Sequence, residues 1–167
     1  LGRLSSGGQA LLEALFLPGQ SRLHTWTGRV VVAGLFLLGV AHWVLFLDFG
    51  QIGFDLHDWV QEGWRYAFLQ EAVQSRQLPL HISSPFTTLE RFIARPDTVL
   101  SPQVLLLGWL DLGAFVLVNT LLLYSAGFVG LILLRRRYGL APVPFTALFL
   151  LLNFNGHITA HLAVGHS

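Results

Sequence analysis

From Val30 to Leu47 the chain runs eighteen residues with His42 as its one strongly polar side chain, then enters "DFGQIGFDLHDW". A hydrocarbon core about 30 Å thick needs roughly 20 helical residues, so this run is close to the shortest that crosses. A second apolar run, Leu112 to Leu134, is closed by Arg135, Arg136 and Arg137. A third, over 143–165, runs from Phe145 towards Val164, apolar first and polar later, with Asn153, Asn155, His157 and His161 in its second half. The pattern predicts an all-α integral membrane protein with three transmembrane helices, at 30–47, 112–134 and 143–165. Residues 1–28 form an arm before them, 48–111 a long loop, and 135–142 a tight turn.

Arginines orient these spans. Arg3, Arg22 and Arg29 precede the first, and the triplet lies between the second and third. Over 48–103, four arginines face seven acids. Because short cytoplasmic loops carry the excess of Lys and Arg, the N-terminus and the triplet are expected inside and the long loop outside. All three spans agree on that topology. In the arm, "ALLEALFLPG" is too short to cross and is expected to lie in the interface as a helix.

The long loop also carries helical patterning. Asp58 with Gln61 has the spacing of a capping box, followed by Val60, Trp64, Ala67, Phe68 and Val73. Thr87 with Glu90 repeats the signal, and Pro79 and Pro85 break the stretch between. Trp59 and Trp64 suit the headgroup zone, where amphipathic rings settle. The expectation is two interfacial helices along the outer face.

Composition agrees with the membrane class: hydrophobic residues make up 53%, charged residues 11%, and the mean hydropathy is +0.61, leaving too few polar groups to coat a globule. A net charge of +1 with no basic stripe gives no reason to expect nucleic acid. With no cysteine, disulfides, thiolate metal sites and cysteine nucleophiles are excluded. The chain lacks Met even at position 1 and stops in mid-pattern, so it is expected to be a piece of a larger protein.

Several polar groups are chemical candidates. Asp48, Asp55 and Asp58 stand where the first span leaves lipid, where a carboxylate acts as general base on a hydroxyl or holds a divalent cation against a phosphate. The plain alternative is that acids mark the exit from lipid and Asp58 only caps a helix. Arg65, with Arg76, Arg91 and Arg95 further on, offers forks that fit phosphate, against surface pairing with Glu62, Glu71 and Glu90. His157 and His161 share a helix face and His166 follows. Lining a polar pocket is the favoured reading over ligating a metal, since no third ligand is evident. His42 or His161 could also serve as an axial ligand to haem or chlorophyll.

"DLHDWVQEGWRYAFLQEAVQSRQLPLH", "LILLRRRYGLAP" and "NGHITAHLAVGH" together resemble the YfhO family of bacterial membrane proteins, over roughly residues 30 to 167. That family belongs to the GT-C-type glycosyltransferase superfamily, whose members use lipid-phosphate-linked sugars. The resemblance implies a bacterial inner-membrane protein transferring sugar on the non-cytoplasmic face. Asp55 or, next, Asp48 would be the catalytic carboxylate; Arg65, His161 and His166 would contact substrate. The sequence departs from the family at Gly63, where a proline precedes the W-R pair, and at "LPLHIS" in place of "LPLWNP". The rival expectation is a non-enzymatic subunit or scaffold contacting other membrane subunits.

Overall fold

The computed structural model describes residues 6–19, 22–76 and 101–163, except for the side chains at 157, 161 and 162. Among them every regular element is helical: α1 (Ser6–Phe16), α2 (Arg22–Phe46), α3 (Trp59–Gln74), α4 (Leu112–Tyr138), α5 (Pro142–Asn153) and α6 (Gly156–Ala163), with 3-10 segments at Asp48–Gly50 and Pro102–Gly108. Three stretches are long and apolar enough to cross a membrane: Arg22–Phe46, Leu112–Tyr138 and Pro142–Ala160.

Local chemistry sets the boundaries. α1 stops at Phe16, shortly before Pro18, which cannot continue a helix. α2 begins at Arg22, before the apolar run expected from Val30, and continues through Arg29. Arginine is a good helix former and its long stem reaches away from lipid, so its charge does not end the helix. Asp111 caps α4, its Oδ1 accepting from the Ala114 N–H at 2.8 Å. Gly139, with φ of +62°, takes the left-handed turn that ends α4, and the Leu140 N–H closes back on the Arg135 carbonyl at 3.0 Å. Pro142 then opens α5 at a position that has no use for an N–H.

The third apolar stretch is two helices. α5 ends at Asn153 and α6 starts at Gly156, with Phe154 and Asn155 between them. The Asn153 side chain donates to the Phe149 carbonyl at 3.0 Å, and the Asn155 carbonyl takes the Ile158 N–H at 3.1 Å. Asparagine competes well for backbone groups, which is why the interruption falls here.

The chain divides into two compact units, Leu1–Leu45 with Leu121–Ala160, and Phe46–Thr120 with His161–Ser167. In the first, the core is aromatic. Phe145 and Phe149 are fully buried. Phe128 lies 5.3 Å from Phe36, 6.4 Å from Phe145 and 5.8 Å from Phe149, centroid to centroid. Where lipid replaces water there is little hydrophobic gain in pairing helices, so close van der Waals contact must hold them. Small residues permit it: the Tyr124 ring lies directly on Gly39.

The second unit has its own core of Leu47, Trp59, Tyr66, Leu69, Val104, Leu107, Phe115 and Val116. α3 supplies Trp59, Tyr66 and Leu69, and the 3-10 segment supplies Val104 and Leu107. The Gln70 amide donates to the Leu107 and Leu110 carbonyls at 3.2 and 2.8 Å, fastening α3 to the end of that segment.

Two expectations about α3 are corrected. Its inward stripe is Trp59, Glu62, Gly63, Tyr66, Leu69 and Ala72, while Val60, Trp64 and Ala67 face outward. Trp59 is therefore a core residue, its indole N–H donating to the Ala163 carbonyl at 3.3 Å, and only Trp64 is exposed, at 77%. Asp58 does hold the N-cap position, but its own backbone is helical and its side chain makes no capping bond. A cap residue needs extended backbone to turn its oxygen towards the N–H groups. The second box, Thr87 with Glu90, lies outside the described residues.

Candidate functional site

The chain leaves α2 through three consecutive left-handed residues, Asp48, Phe49 and Gly50, with φ of 44°, 54° and 86°. Glycine adopts this conformation freely and aspartate tolerates it; for phenylalanine it is strained. The turn is held by the Gly50 N–H on the Leu47 carbonyl and the Gln51 N–H on the Asp48 carbonyl, at 2.8 and 2.9 Å. Asp48 is thereby presented outward, exposed, on a sharply folded corner.

Asp55 is also exposed, in the irregular stretch that leads to α3. Below it, Phe54 packs edge-on to Trp59 at 5.8 Å, which anchors this stretch to the core of the second unit. Asp48, Asp55 and Arg65 all belong to that unit.

Arg65 is not paired at the surface. It forms an ion pair with Glu62 one turn earlier, with both side chains largely buried. Its guanidinium also lies 5.5 Å from the centre of the Tyr66 ring. Glu62 is the buried acid that makes this a fixed internal pair. The charge of Arg65 is thus already offset, and a phosphate would have to compete with a held carboxylate.

The histidines do not form one constellation. His42 belongs to the first unit, packed edge-on to Trp43 at 4.9 Å and against Phe154 at 4.7 Å. His166, and the side chains of His157 and His161, lie outside the described residues. Among the described residues, no three His, Cys, Asp or Glu side chains converge to hold a metal ion. The fit to a divalent cation at Asp48 or Asp55 is accordingly incomplete within the described residues.

A second feature is not legible along the linear chain. In the first unit, a groove of about 730 Å³ runs between the end of α1, α2, the last turns of α4 and the 139–142 turn. Its walls include Val32, Phe36, Phe128 and Ile132, and its polar lining includes His24, Arg29, Arg135 and Arg136. The arginine triplet was legible in the sequence, but as a topology signal; that two of its members border an apolar groove is a tertiary fact.

No known protein family's model matches the chain, and neither a curated protein nor a solved structure matches it.

Proposed function

We propose that this chain is the membrane-embedded part of a transferase that presents two carboxylates to a lipid-borne substrate at the non-cytoplasmic surface. The observation that carries the proposal is the placement of Asp48 and Asp55. Both are exposed on the unit that begins where α2 ends, one of them on a strained corner. Held-in-place backbone outliers gather at sites that need a side chain aimed.

In this reading the topology follows the arginines, with α1 along the inner interface and α3 along the outer one. The outward stripe of Val60, Trp64 and Ala67 rests on lipid while the inward stripe packs the unit's core. The donor is a sugar on a polyprenyl phosphate, as the YfhO resemblance implies. Asp55 or Asp48 takes the proton from an acceptor hydroxyl as its oxygen bonds to the anomeric carbon. The bond from that carbon to the donor phosphate breaks, and the lipid phosphate departs with the electron pair. His161 and His166 are assigned to substrate contact on the same resemblance. A phosphate at Arg65 competes with Glu62.

The test is sugar transfer in membranes holding the full-length protein, with labelled polyprenyl-phosphate hexoses as donors. Asp55→Asn abolishes transfer and Asp48→Asn reduces it, with expression unchanged. Full turnover in both variants removes the carboxylates from the mechanism.

A second reading is a non-enzymatic subunit, favoured by the exposed rings of Trp64 and Trp109, 77% and 82% accessible, which suit contact with another membrane subunit as well as with lipid. Stoichiometric co-purification with other subunits, with no transfer in the wild-type protein, selects it. An absorption spectrum showing a haem or chlorophyll band selects its pigment-binding form.

A further inference from the structure

We infer that the groove in the first unit is a binding site for an anionic glycerophospholipid, its phosphate at Arg29, Arg135 and Arg136 and an acyl chain along Phe36, Phe128 and Ile132. This inference is independent of any transfer activity; it rests on the chain's being embedded in a membrane.

The groove has the two chemistries of such a lipid in the right order. Its walls are apolar, and one end collects three guanidiniums and the His24 imidazole without a single acid in the lining. Among the described residues of the first unit five arginines stand against one glutamate, Glu13, so the field over this surface is positive. At about 730 Å³ it falls in the range of roughly 300–1,000 Å³ usual for ligand sites. Basic pockets between spanning helices are where phosphate-bearing headgroups settle.

Arg135 is the part of the site built before any ligand arrives. Its Nε donates to the Leu140 carbonyl at 3.1 Å and its Nη1 to the Gly28 carbonyl at 3.4 Å, while its Cζ lies 5.4 Å from the centre of the Phe145 ring. Gly28 makes room for it: a Cβ there would come within 2.6 Å of Nη2. Arginine has five N–H donors, so these bonds leave others for a phosphate. Arg29 and Arg136 also line the groove and are exposed, so both are open to a headgroup. The C-terminal end of α4 opposes an anion with about half a charge. Three guanidiniums outweigh it.

Free phosphate shares the headgroup's chemistry, but only a lipid uses the apolar wall. The experiment is native mass spectrometry of the chain purified in non-ionic detergent, titrated with phosphatidylglycerol, with phosphatidylcholine of the same acyl chains, or with inorganic phosphate. Phosphatidylglycerol should be retained at least tenfold better than phosphatidylcholine. The double variant Arg29→Gln with Arg136→Gln should lose about thirtyfold of that retention, as expected for two arginine contacts. Arg137→Gln, whose arginine is not in the lining, should lose none. Val129→Trp, which fills the groove without touching its charge, should also abolish retention, with far-UV circular dichroism and melting temperature confirming each fold. Equal retention of both lipids, equal loss in Arg137→Gln, or displacement of the lipid by millimolar inorganic phosphate would each overturn the site.

Discussion

The hydroxyl end of the Tyr124 ring on α4 lies against Gly39 on α2, so close that a Cβ at position 39 would stand 2.6 Å from the ring's Cε2. The same residue's hydroxyl donates to the carbonyls of Phe36 and Leu35, at 3.0 and 3.3 Å. A spanning helix rarely opens its carbonyls to a neighbour; here the missing side chain at Gly39 admits the phenol that reaches them. Gly39→Leu should therefore separate α2 from α4 and lower the melting temperature in detergent sharply. Tyr124→Phe keeps the ring and loses only the hydroxyl, and should cost about 0.5–1.5 kcal/mol. If the two variants melt alike, the contact is not what joins these helices.

Gln70 is the polar fastener of the second unit. Gln70→Leu leaves the carbonyls of Leu107 and Leu110 without their amide, at a cost of about 1–3 kcal/mol. Hydrogen exchange over 102–110 should accelerate while exchange within α2 stays as it was. Unchanged protection would mean that the apolar contacts of Val104 and Leu107 suffice.

The Glu62–Arg65 pair is buried, so removing one partner strands a charge. Arg65→Met should cost about 3–5 kcal/mol, whereas Arg65→Met combined with Glu62→Leu should recover most of that loss. Urea or thermal melts of the single and double variants give the coupling. Additive losses would show that the two side chains act separately.

The proposed orientation is open to direct measurement, because the chain has no cysteine to confuse single-thiol labelling. A membrane-impermeant maleimide should label Gln74→Cys in intact cells, and Tyr138→Cys only after permeabilisation; both positions are exposed. The opposite pattern would place the acidic unit beside the arginine triplet and remove the proposed transfer site from the outer face.

Three apolar stretches, their arginine borders and the helix over 59–74 were open to inspection in the linear chain. Burial in lipid demands length and apolarity, and both are properties of a segment read alone. Which side of α3 turns inward was not open in the same way. Val60, Trp64 and Ala67 form one apolar stripe and Trp59, Tyr66 and Leu69 another, and periodicity ranks neither above the other. Only the partners, Val104 and Leu107 from a distant part of the chain, decide between them. Gly39 and Tyr124 read as ordinary span residues, and Gly28 as the end of the arm, for the same reason. Their role is a close approach between helices far apart in sequence, and the groove beside Arg135 exists only once α2 and α4 have met. Hydropathy is additive along a chain, but packing and the placement of charge around a cavity are relations between segments, so tertiary structure alone could settle them.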